Sequence, residues 1–413
     1  MADPTPNPGR AGTGRAFFRA IELSGAGVHP AAWRRADSRA EELFGGAYWL
    51  DAITSAERAG LDAVLVPDSF DAGSGGPGAV RGRLDAVAVL ARAAALTHRI
   101  GLIPQVTTTH TEPFHVSKAI QALDFATSGR AGWEVAVSEG AAQAKAFGRK
   151  GPQDAASLWA EAEEAIEVVT RLWDSWEDDA EIRDVTTGRF IDRDKLHYID
   201  FTGEHFSVKG PSITPRSPQG QSIVTLRADG GPADAVAAHR ADLIRVAAPG
   251  PGAAGTRRAA LRSAVADTGR DPDSVTVLLD LDIHLADSAD AARAEVEQLD
   301  AWAAEPGPGS PDRSDSPGTG GAGQGPSPRP RHVGTVASLR EFLGELERSG
   351  AADGVVLRPL ALSSAIRLLA TGATALGSDE ATGARGAPRT LRDRLGLPRP
   401  LSRYAVRTQG GPS

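Results

Sequence analysis

Short apolar runs alternate with longer amphipathic stretches along most of the chain, and several of the apolar runs end in polar residues. Runs of strand length are typical of buried strands. They lie at 16–23, 61–67, 100–106, 131–137, 222–226, 242–247, 274–284 and 353–358. Helical spacing predicts helices at 47–59 and 84–94, between the strands at 100–106 and 131–137, and at 157–176, 233–239, 255–268, 287–303 and 336–348. Eight alternating strand–helix units predict an α/β fold, a (β/α)8 TIM barrel rather than a doubly wound sheet.

Several segments interrupt or flank this repeat. Residues 1–14 are rich in Pro and Gly, which predicts a disordered N-terminus. Region 177–221, after the fourth predicted helix, holds only short strand-like pieces and is interpreted as an insertion. The Pro/Gly/Ser-rich stretch 305–331 predicts a flexible, disordered loop before the eighth strand. We therefore predict one barrel over 15–376 and a C-terminal extension over 377–413.

Composition excludes several classes of function. The net charge is −8 and no long run of Lys or Arg occurs, so no nucleic-acid partner is expected. The chain has no cysteine, which excludes disulfides and a cysteine nucleophile, and its nine dispersed histidines predict no metal site. Without a signal peptide or an 18-residue apolar run, we expect a cytoplasmic protein with no membrane partner.

Polar residues cluster where the first four predicted strands end, which is where TIM-barrel enzymes place their chemistry. They are His29, Asp68, Thr107 to His110, Glu134 and Ser138. Each has a structural alternative, because an Asp after a strand often caps a helix, threonines favour strands, and a lone histidine is more often structural. No GxGxxG, P-loop or Ser–His–Asp arrangement can be inferred.

The stretch VTTTHTEPFHVSKAIQALDFATSGRAGWEVAVS resembles a signature of the bacterial luciferase-like flavin-dependent monooxygenases. It is most similar to the branch that contains nitrilotriacetate monooxygenase and dibenzothiophene-sulfone monooxygenase. Further similar stretches follow in family order, among them GAGVHPAAWR, AERAGLDAVLVPDS, RLWDSWEDDA and TLRDRLGLPRP. The resemblance implies reduced FMN bound at the barrel's strand ends, a separate NAD(P)H:flavin reductase, O2 as co-substrate and a homodimer.

The resemblance also assigns roles to individual residues. It places Asp68, the threonine run and Ser138 beside the flavin, and His29 in a loop that faces the substrate. Tryptophans could line an apolar pocket, although core packing is the alternative, especially for Trp159. The resulting candidates are His29 and His110 for catalysis, Asp68, Thr108, Thr109, Glu134, Ser138, Arg227 and Gly230 for the cofactor, and Trp33 and Trp159 for the substrate.

The chain departs from the branch at several flavin positions. Glu134 stands where the branch has an Asn, so an acceptor replaces an amide that can donate. Ala155 and Trp159 stand at positions that are usually His and Tyr. The loop from Leu226 to Gly230 replaces Gln-Ala-Gly-x-Ser, where Arg227 could pair with a phosphate and Asp229 would oppose it.

These observations leave three hypotheses. The first is a two-component monooxygenase that uses reduced FMN and O2 to oxygenate an organic small molecule. The alternative is a luciferase-like barrel that has lost standard FMN binding and acts as a cofactor-independent enzyme or a non-catalytic partner subunit. The altered flavin positions motivate it. A lesser alternative is an oxidoreductase that depends on the deazaflavin F420.

Overall fold

Eight parallel strands close into a barrel in the computed structural model, which describes residues 16–71, 80–305, 328–371 and 390–404. Within these ranges the strands are β1 (Phe18–Glu22), β2 (Ala63–Val66), β3 (Gly101–Thr107), β4 (Gly132–Ala136), β5 (Glu181–Asp184), β6 (Arg189–Ile191), β7 (Phe201–Thr202), β8 (Ser207–Val208), β9 (Ile223–Arg227), β10 (Leu243–Val246), β11 (Thr276–Leu285), β12 (Arg331–Gly334) and β13 (Gly354–Pro359). The barrel order is β10-β9-β4-β3-β2-β1-β13-β11, and β11 pairs back with β10. The predicted (β/α)8 TIM barrel is confirmed.

Helices surround the barrel, and several of them begin where a polar side chain caps them. In the described residues they are α1 (Gly46–Arg58), α2 (Ala86–Ala94), α3 (Pro113–Ala126), α4 (Ala141–Phe147), α5 (Ala155–Asp174), α6 (Pro232–Arg240), α7 (Pro251–Asp267), α8 (Ala289–Ala304), α9 (Val336–Ser349), α10 (Leu362–Thr371) and α11 (Leu391–Arg394). The side chains of Asp85, Asp154 and Ser288 each accept a backbone N–H from the first turn of their helix, which satisfies a group that the helix leaves unpaired. None of these helices is long and apolar enough to cross a bilayer.

Two short hairpins occupy the segment that was predicted as an insertion. The pairs β5–β6 and β7–β8 are antiparallel and lie within 177–221, outside the barrel sheet. The predicted disordered N-terminus at 1–14 lies outside the described residues. So do 306–327 of the predicted linker and 377–389 and 405–413 of the predicted C-terminal extension.

The lower half of the barrel interior, at the N-terminal ends of the strands, is apolar and is closed by the C-terminal segment. Leu391 donates its backbone N–H to the Gly129 carbonyl, and the Arg394 side chain donates to the Asp62 carbonyl. Both carbonyls precede barrel strands, so α11 covers the N-terminal face. The layer consists of Phe18, Ala20, Ala63, Leu65, Ile103, Ile223, Leu243, Leu278 and Val356 packed on Leu391, Leu395 and Leu397.

Candidate active site

The upper half of the barrel interior, toward the carboxyl ends of the strands, is charged, although branched apolar side chains usually fill a TIM barrel. Arg245 of β10 lies at its centre, with only 1% of its side chain exposed. Its guanidinium donates to Glu22 Oε2 at 2.6 Å, to Glu134 Oε2 at 2.8 Å and to Asp280 Oδ1 at 2.9 Å. We call these four residues the central charged cluster. It ties together β1, β4, β10 and β11.

Further arginines surround the central charged cluster. Arg358 of β13 donates to Glu22 Oε1 at 3.3 Å and to Asp282 Oδ1 at 2.7 Å. Burial alone would raise the pKa of Glu22, but the charges of Arg245 and Arg358 outweigh burial and lower it to about 2. Glu22 is therefore ionised at neutral pH. Burial raises the pKa of Asp282, against the opposing charge of Arg358.

Gln105 of β3 connects this cluster to the loop that follows β2. Its Nε2 donates to Glu134 Oε1 at 3.0 Å, and its Oε1 accepts the Asp68 backbone N–H at 3.0 Å. The Asp68 carboxylate in turn accepts backbone N–H groups from Ser69 at 2.8 Å and from Ala86, the first residue of α2, at 2.9 Å. Asp68 thus supports the start of a helix, and burial raises its pKa. Glu134 points at Arg245 from inside the barrel.

The hydroxyl side chains at the ends of β3 and β4 form one hydrogen-bonded cluster. Thr107 Oγ1 and Ser138 Oγ are 2.8 Å apart, and the Ser138 backbone N–H donates to Thr109 Oγ1 at 2.8 Å. Thr108 donates its hydroxyl to the Ala136 carbonyl at 3.3 Å. All three threonines and Ser138 are buried. The structure therefore brings together the residues that the sequence placed after these two strands.

His110 follows these hydroxyl side chains, and its buried Nε2 has no partner among the residues that the structure describes. Its ring stacks on Phe147 of α4 with centroids 4.5 Å apart, and Phe147 contacts Phe70 edge-on at 4.5 Å. Its Nε2 makes no hydrogen bond with any residue that the structure describes. Buried polar atoms normally have a partner, so this nitrogen suits a hydrogen bond to a ligand. Burial lowers the pKa of His110, and the charge of Lys150 lowers it further.

This lowered pKa predicts a pH effect on stability. The unfolded chain binds a proton at His110 more readily than the folded chain does, so stability should fall as pH drops below about 6.5. Urea unfolding between pH 5 and 7.5 should therefore show a smaller loss of stability for His110→Gln than for the native chain. The exposed His115→Gln variant controls for the loss of an imidazole. Identical pH curves for the native chain and His110→Gln would contradict the expectation.

His29 lies beside a cavity, but both of its ring nitrogens are already engaged. Nε2 lies 3.1 Å from Asp300 Oδ1, and Nδ1 accepts the Ala31 backbone N–H at 3.2 Å. The cavity measures about 230 Å³ and lies between the loop after β1 and the end of β2, with Trp33 in its wall. Trp159 of α5 packs instead into the core between barrel and helices.

The loop after β9 combines a cation with open space. Arg227 donates from Nε to Asp229 Oδ2 at 3.2 Å, and its two terminal amino groups make no hydrogen bond within the described part of the chain. A Cβ atom added at Gly230 or at Gly231 would meet no atom within 4 Å. A planar guanidinium beside an open glycine pair suits a phosphate oxygen. The residues present thus fit the phosphate end of FMN through Arg227.

One backbone donor of that loop is already occupied. The Gly230 N–H donates to Asp234 Oδ1 at 3.0 Å, and both oxygens of Asp234 accept from Arg257 Nη2 at 2.5 Å. A carboxylate of the protein therefore takes a donor that a phosphate would otherwise use at the start of α6. A phosphate bound here would depend more on Arg227 than on the loop backbone.

A barrel whose polar residues converge at the carboxyl ends of its strands defines an enzyme-like site. Residues 27–358 match the family described as Luciferase-like monooxygenase, and the chain belongs to this family. N-acetyl-S-(2-succino)cysteine monooxygenase of Bacillus subtilis (strain 168) is 34% identical over 279 residues, which cover 68% of this chain and 63% of that protein. Nitrilotriacetate monooxygenase component A of Aminobacter aminovorans is 32% identical over 285 residues, covering 66% and 63%.

The chain therefore spans less than two thirds of the length of these curated relatives. Among solved structures, the crystal structure of riboflavin lyase with modified FMN and its substrate riboflavin superposes with a TM-score of 0.77. The identity is 22%, and the match covers 94% of this chain and 98% of that one. This likeness shows the fold. The family resemblance that the sequence motifs indicate is confirmed.

The central charged cluster is the part of the site that sequence reasoning missed. Arg245 and Glu22 lie within short apolar runs that predict buried strands. The sequence does not show which residue would form an ion pair with a single charge in such a run. One usable signal existed in β11, where Asp280 and Asp282 alternate with leucines at the period of a strand. In a strand that is buried on both faces, such alternation indicates that one face meets buried cations.

Proposed function

We propose that the protein is the oxygenating component of a two-component flavin-dependent monooxygenase. It would take reduced FMN from a separate NAD(P)H:flavin reductase and use O2 to oxygenate an organic small molecule, as a cytoplasmic homodimer. Family membership supports this proposal, as does a relative named as component A of such a system. The observation that carries it is the cluster of buried, hydrogen-bonded hydroxyl side chains of Thr107, Thr109 and Ser138 at the ends of β3 and β4.

The residues of this chain would divide the work between binding and orientation. Bound reduced FMN would supply the electrons that activate O2. Thr109 and Ser138 would hold the flavin ring, Arg227 would bind the phosphate, and neutral His110 would offer Nε2 to the substrate. The stacked rings of Phe70, Phe147 and His110 would keep water from the reacting atoms.

Glu134 has a different role in this proposal from that of the amide it replaces. Its oxygens accept hydrogen bonds from Arg245 and Gln105, so its carboxylate is held inside the barrel. We propose that Glu134 acts on the site through Gln105, which fixes the backbone of Asp68 at the end of β2. Glu134 would then be a positioning residue.

The direct test is an anaerobic titration of the purified protein with dithionite-reduced FMN, followed by absorbance, before O2 is admitted. Saturable binding is expected, together with reoxidation kinetics that differ from those of free reduced FMN. No binding at high micromolar FMN by a protein whose circular dichroism shows it folded would contradict the proposal.

Arg227→Gln should weaken the binding of reduced FMN by about ten- to a hundredfold, because a charged hydrogen bond contributes about 1.5–3 kcal/mol. Riboflavin has no phosphate, so its affinity should stay unchanged, and the ratio of the two affinities is the measurement. Arg293→Gln is the matched control, since Arg293 also pairs with a nearby aspartate but lies on α8. Equal weakening of FMN and riboflavin would show that Arg227 does not bind the phosphate.

One observation favours the second candidate, a barrel without standard FMN binding. Asp229 engages Arg227, and Asp234 occupies the Gly230 N–H, so two carboxylates lie at the loop that would receive a phosphate. Like charges repel, and both would oppose the ligand. A folded protein that does not bind reduced FMN in the titration above would establish this candidate.

A further inference from the structure

The cavity beside His29 adjoins the candidate active site. It measures about 230 Å³ and opens between the loop after β1 and the end of β2. Pro67, in its wall, directly precedes Asp68. The cavity therefore lies on the same face of the barrel as the strand-end hydroxyls. Its volume is smaller than the roughly 300–1,000 Å³ of most ligand pockets, which suits a compact molecule.

Ring and aliphatic side chains form most of the cavity wall. Trp33, Phe44 and Trp49 contribute aromatic surface, and Val66 and Leu84 contribute aliphatic surface. Aromatic walls of this kind bind apolar rings well, because they offer large rigid surfaces at low cost in conformational entropy.

Several polar groups of the cavity wall already have partners within the protein. The Trp49 indole N–H donates to the Leu43 carbonyl at 2.9 Å, and the carbonyl of the lining residue Gly25 accepts the hydroxyl of Tyr48, which lies outside the wall, at 2.7 Å. The two ring nitrogens of His29 contact Asp300 and Ala31. These groups are therefore not available to hydrogen-bond a ligand.

Charge is sparse on the wall. Among the lining residues that the structure describes, Arg83 is the only lysine or arginine, and it lies exposed at the rim, where its Nη2 donates to the Asp71 carbonyl at 3.3 Å. A ligand with several carboxylates needs several cations, because burying an unpaired charge is costly. The cavity can compensate one anionic group.

We propose that this cavity binds the apolar part of the substrate, and that the substrate is a compact, ring-containing molecule with no more than one carboxylate, which Arg83 would contact. The inference rests on the proposed monooxygenase function, whose substrate it describes. The proposed substrate therefore differs in charge from nitrilotriacetate, the molecule with three carboxylates for which one relative is named. Divergent cavity walls within one family are a common route to divergent substrates.

Ligand-observed NMR titrations of the purified protein test the proposal, with benzoate, benzyl alcohol and nitrilotriacetate as probes. Each is measured without flavin and again with FMN present. Benzoate and benzyl alcohol should bind saturably at millimolar concentration or below, and nitrilotriacetate should not. Arg83→Gln should weaken benzoate by about 1.5-fold to fivefold, as expected for one exposed charge, and leave benzyl alcohol unchanged.

Trp33→Leu tests the location of the site. It should weaken both aromatic probes by about tenfold, whereas the control Trp302→Leu, a partly buried tryptophan of α8 outside this wall, should not. Nitrilotriacetate binding as tightly as benzoate would overturn the proposal, and so would benzoate binding that ignores Trp33→Leu. Probe binding without flavin is measured independently of FMN affinity. Failure of the cavity proposal is therefore distinguishable from failure of the monooxygenase function.

Discussion

Replacing Arg245 with methionine is expected to lower the free energy of unfolding by about 3–5 kcal/mol, the cost of breaking a buried ion pair by removing one partner. Three carboxylates lose their shared cation in this variant. Glu22 keeps Arg358 and Asp280 keeps Arg329 at 3.6 Å, but the one hydrogen bond that Glu134 keeps within the described residues comes from the amide of Gln105. The loss should therefore come mainly from Glu134, which is 1% exposed.

Chemical denaturation of the variant beside two controls measures this loss. Arg293→Met removes a cation whose side chain is 60% exposed and should change stability by less than about 1 kcal/mol. The double variant Arg245→Met with Glu134→Gln removes the uncompensated carboxylate, so it should recover part of the loss. A single variant as stable as the native chain would mean that the carboxylates become protonated or hydrated at no cost, and that the central charged cluster does not depend on its shared cation.

Buried ion clusters contribute little net stability compared with apolar side chains of the same volume, so stability alone does not account for this one. Its geometry suggests a reason for its presence. Arg245 fixes Glu134, Glu134 fixes Gln105, and Gln105 holds the backbone of Asp68 at the active-site face. Preorganised site residues need a rigid supporting layer, and this cluster connects four strands beneath the site.

The barrel could be predicted from the sequence because each strand–helix unit carries its own local signal. The strand predicted at 100–106 lies at Gly101–Thr107, and the helix predicted at 157–176 lies at Ala155–Asp174. The shorter α4 and β12 carry too few residues for a periodic pattern, and neither was predicted.

The candidate site could be predicted only in part. The hydroxyls after β3 and β4 meet because parallel strands end at the same face, which topology alone implies. The partners of Arg245 could not be inferred, since Glu134 and Glu22 lie 111 and 223 residues away along the chain. The engagement of His29 with Asp300 depends equally on a contact between distant segments.

Glu22 should make the protein sensitive to acid. Its pKa is about 2 in the folded state and ordinarily 4.5, because the charges of Arg245 and Arg358 outweigh burial. Its ionisation therefore contributes about 3 kcal/mol of stability, fully present above pH 4.5 and lost as the pH falls through 2. About 2 kcal/mol of this contribution should already be lost between pH 6 and pH 3.

Urea unfolding at pH 6 and at pH 3 measures this loss in the native chain and in Glu22→Gln. The variant should be less stable at pH 6, but its deficit should shrink by about 2 kcal/mol at pH 3, because it has no carboxylate to protonate there. Asp290→Asn, which changes a side chain that is 92% exposed, should follow the native pH dependence. A deficit that is the same at both pH values would mean that Arg245 and Arg358 do not hold Glu22 ionised, and the central charged cluster would have to carry a proton.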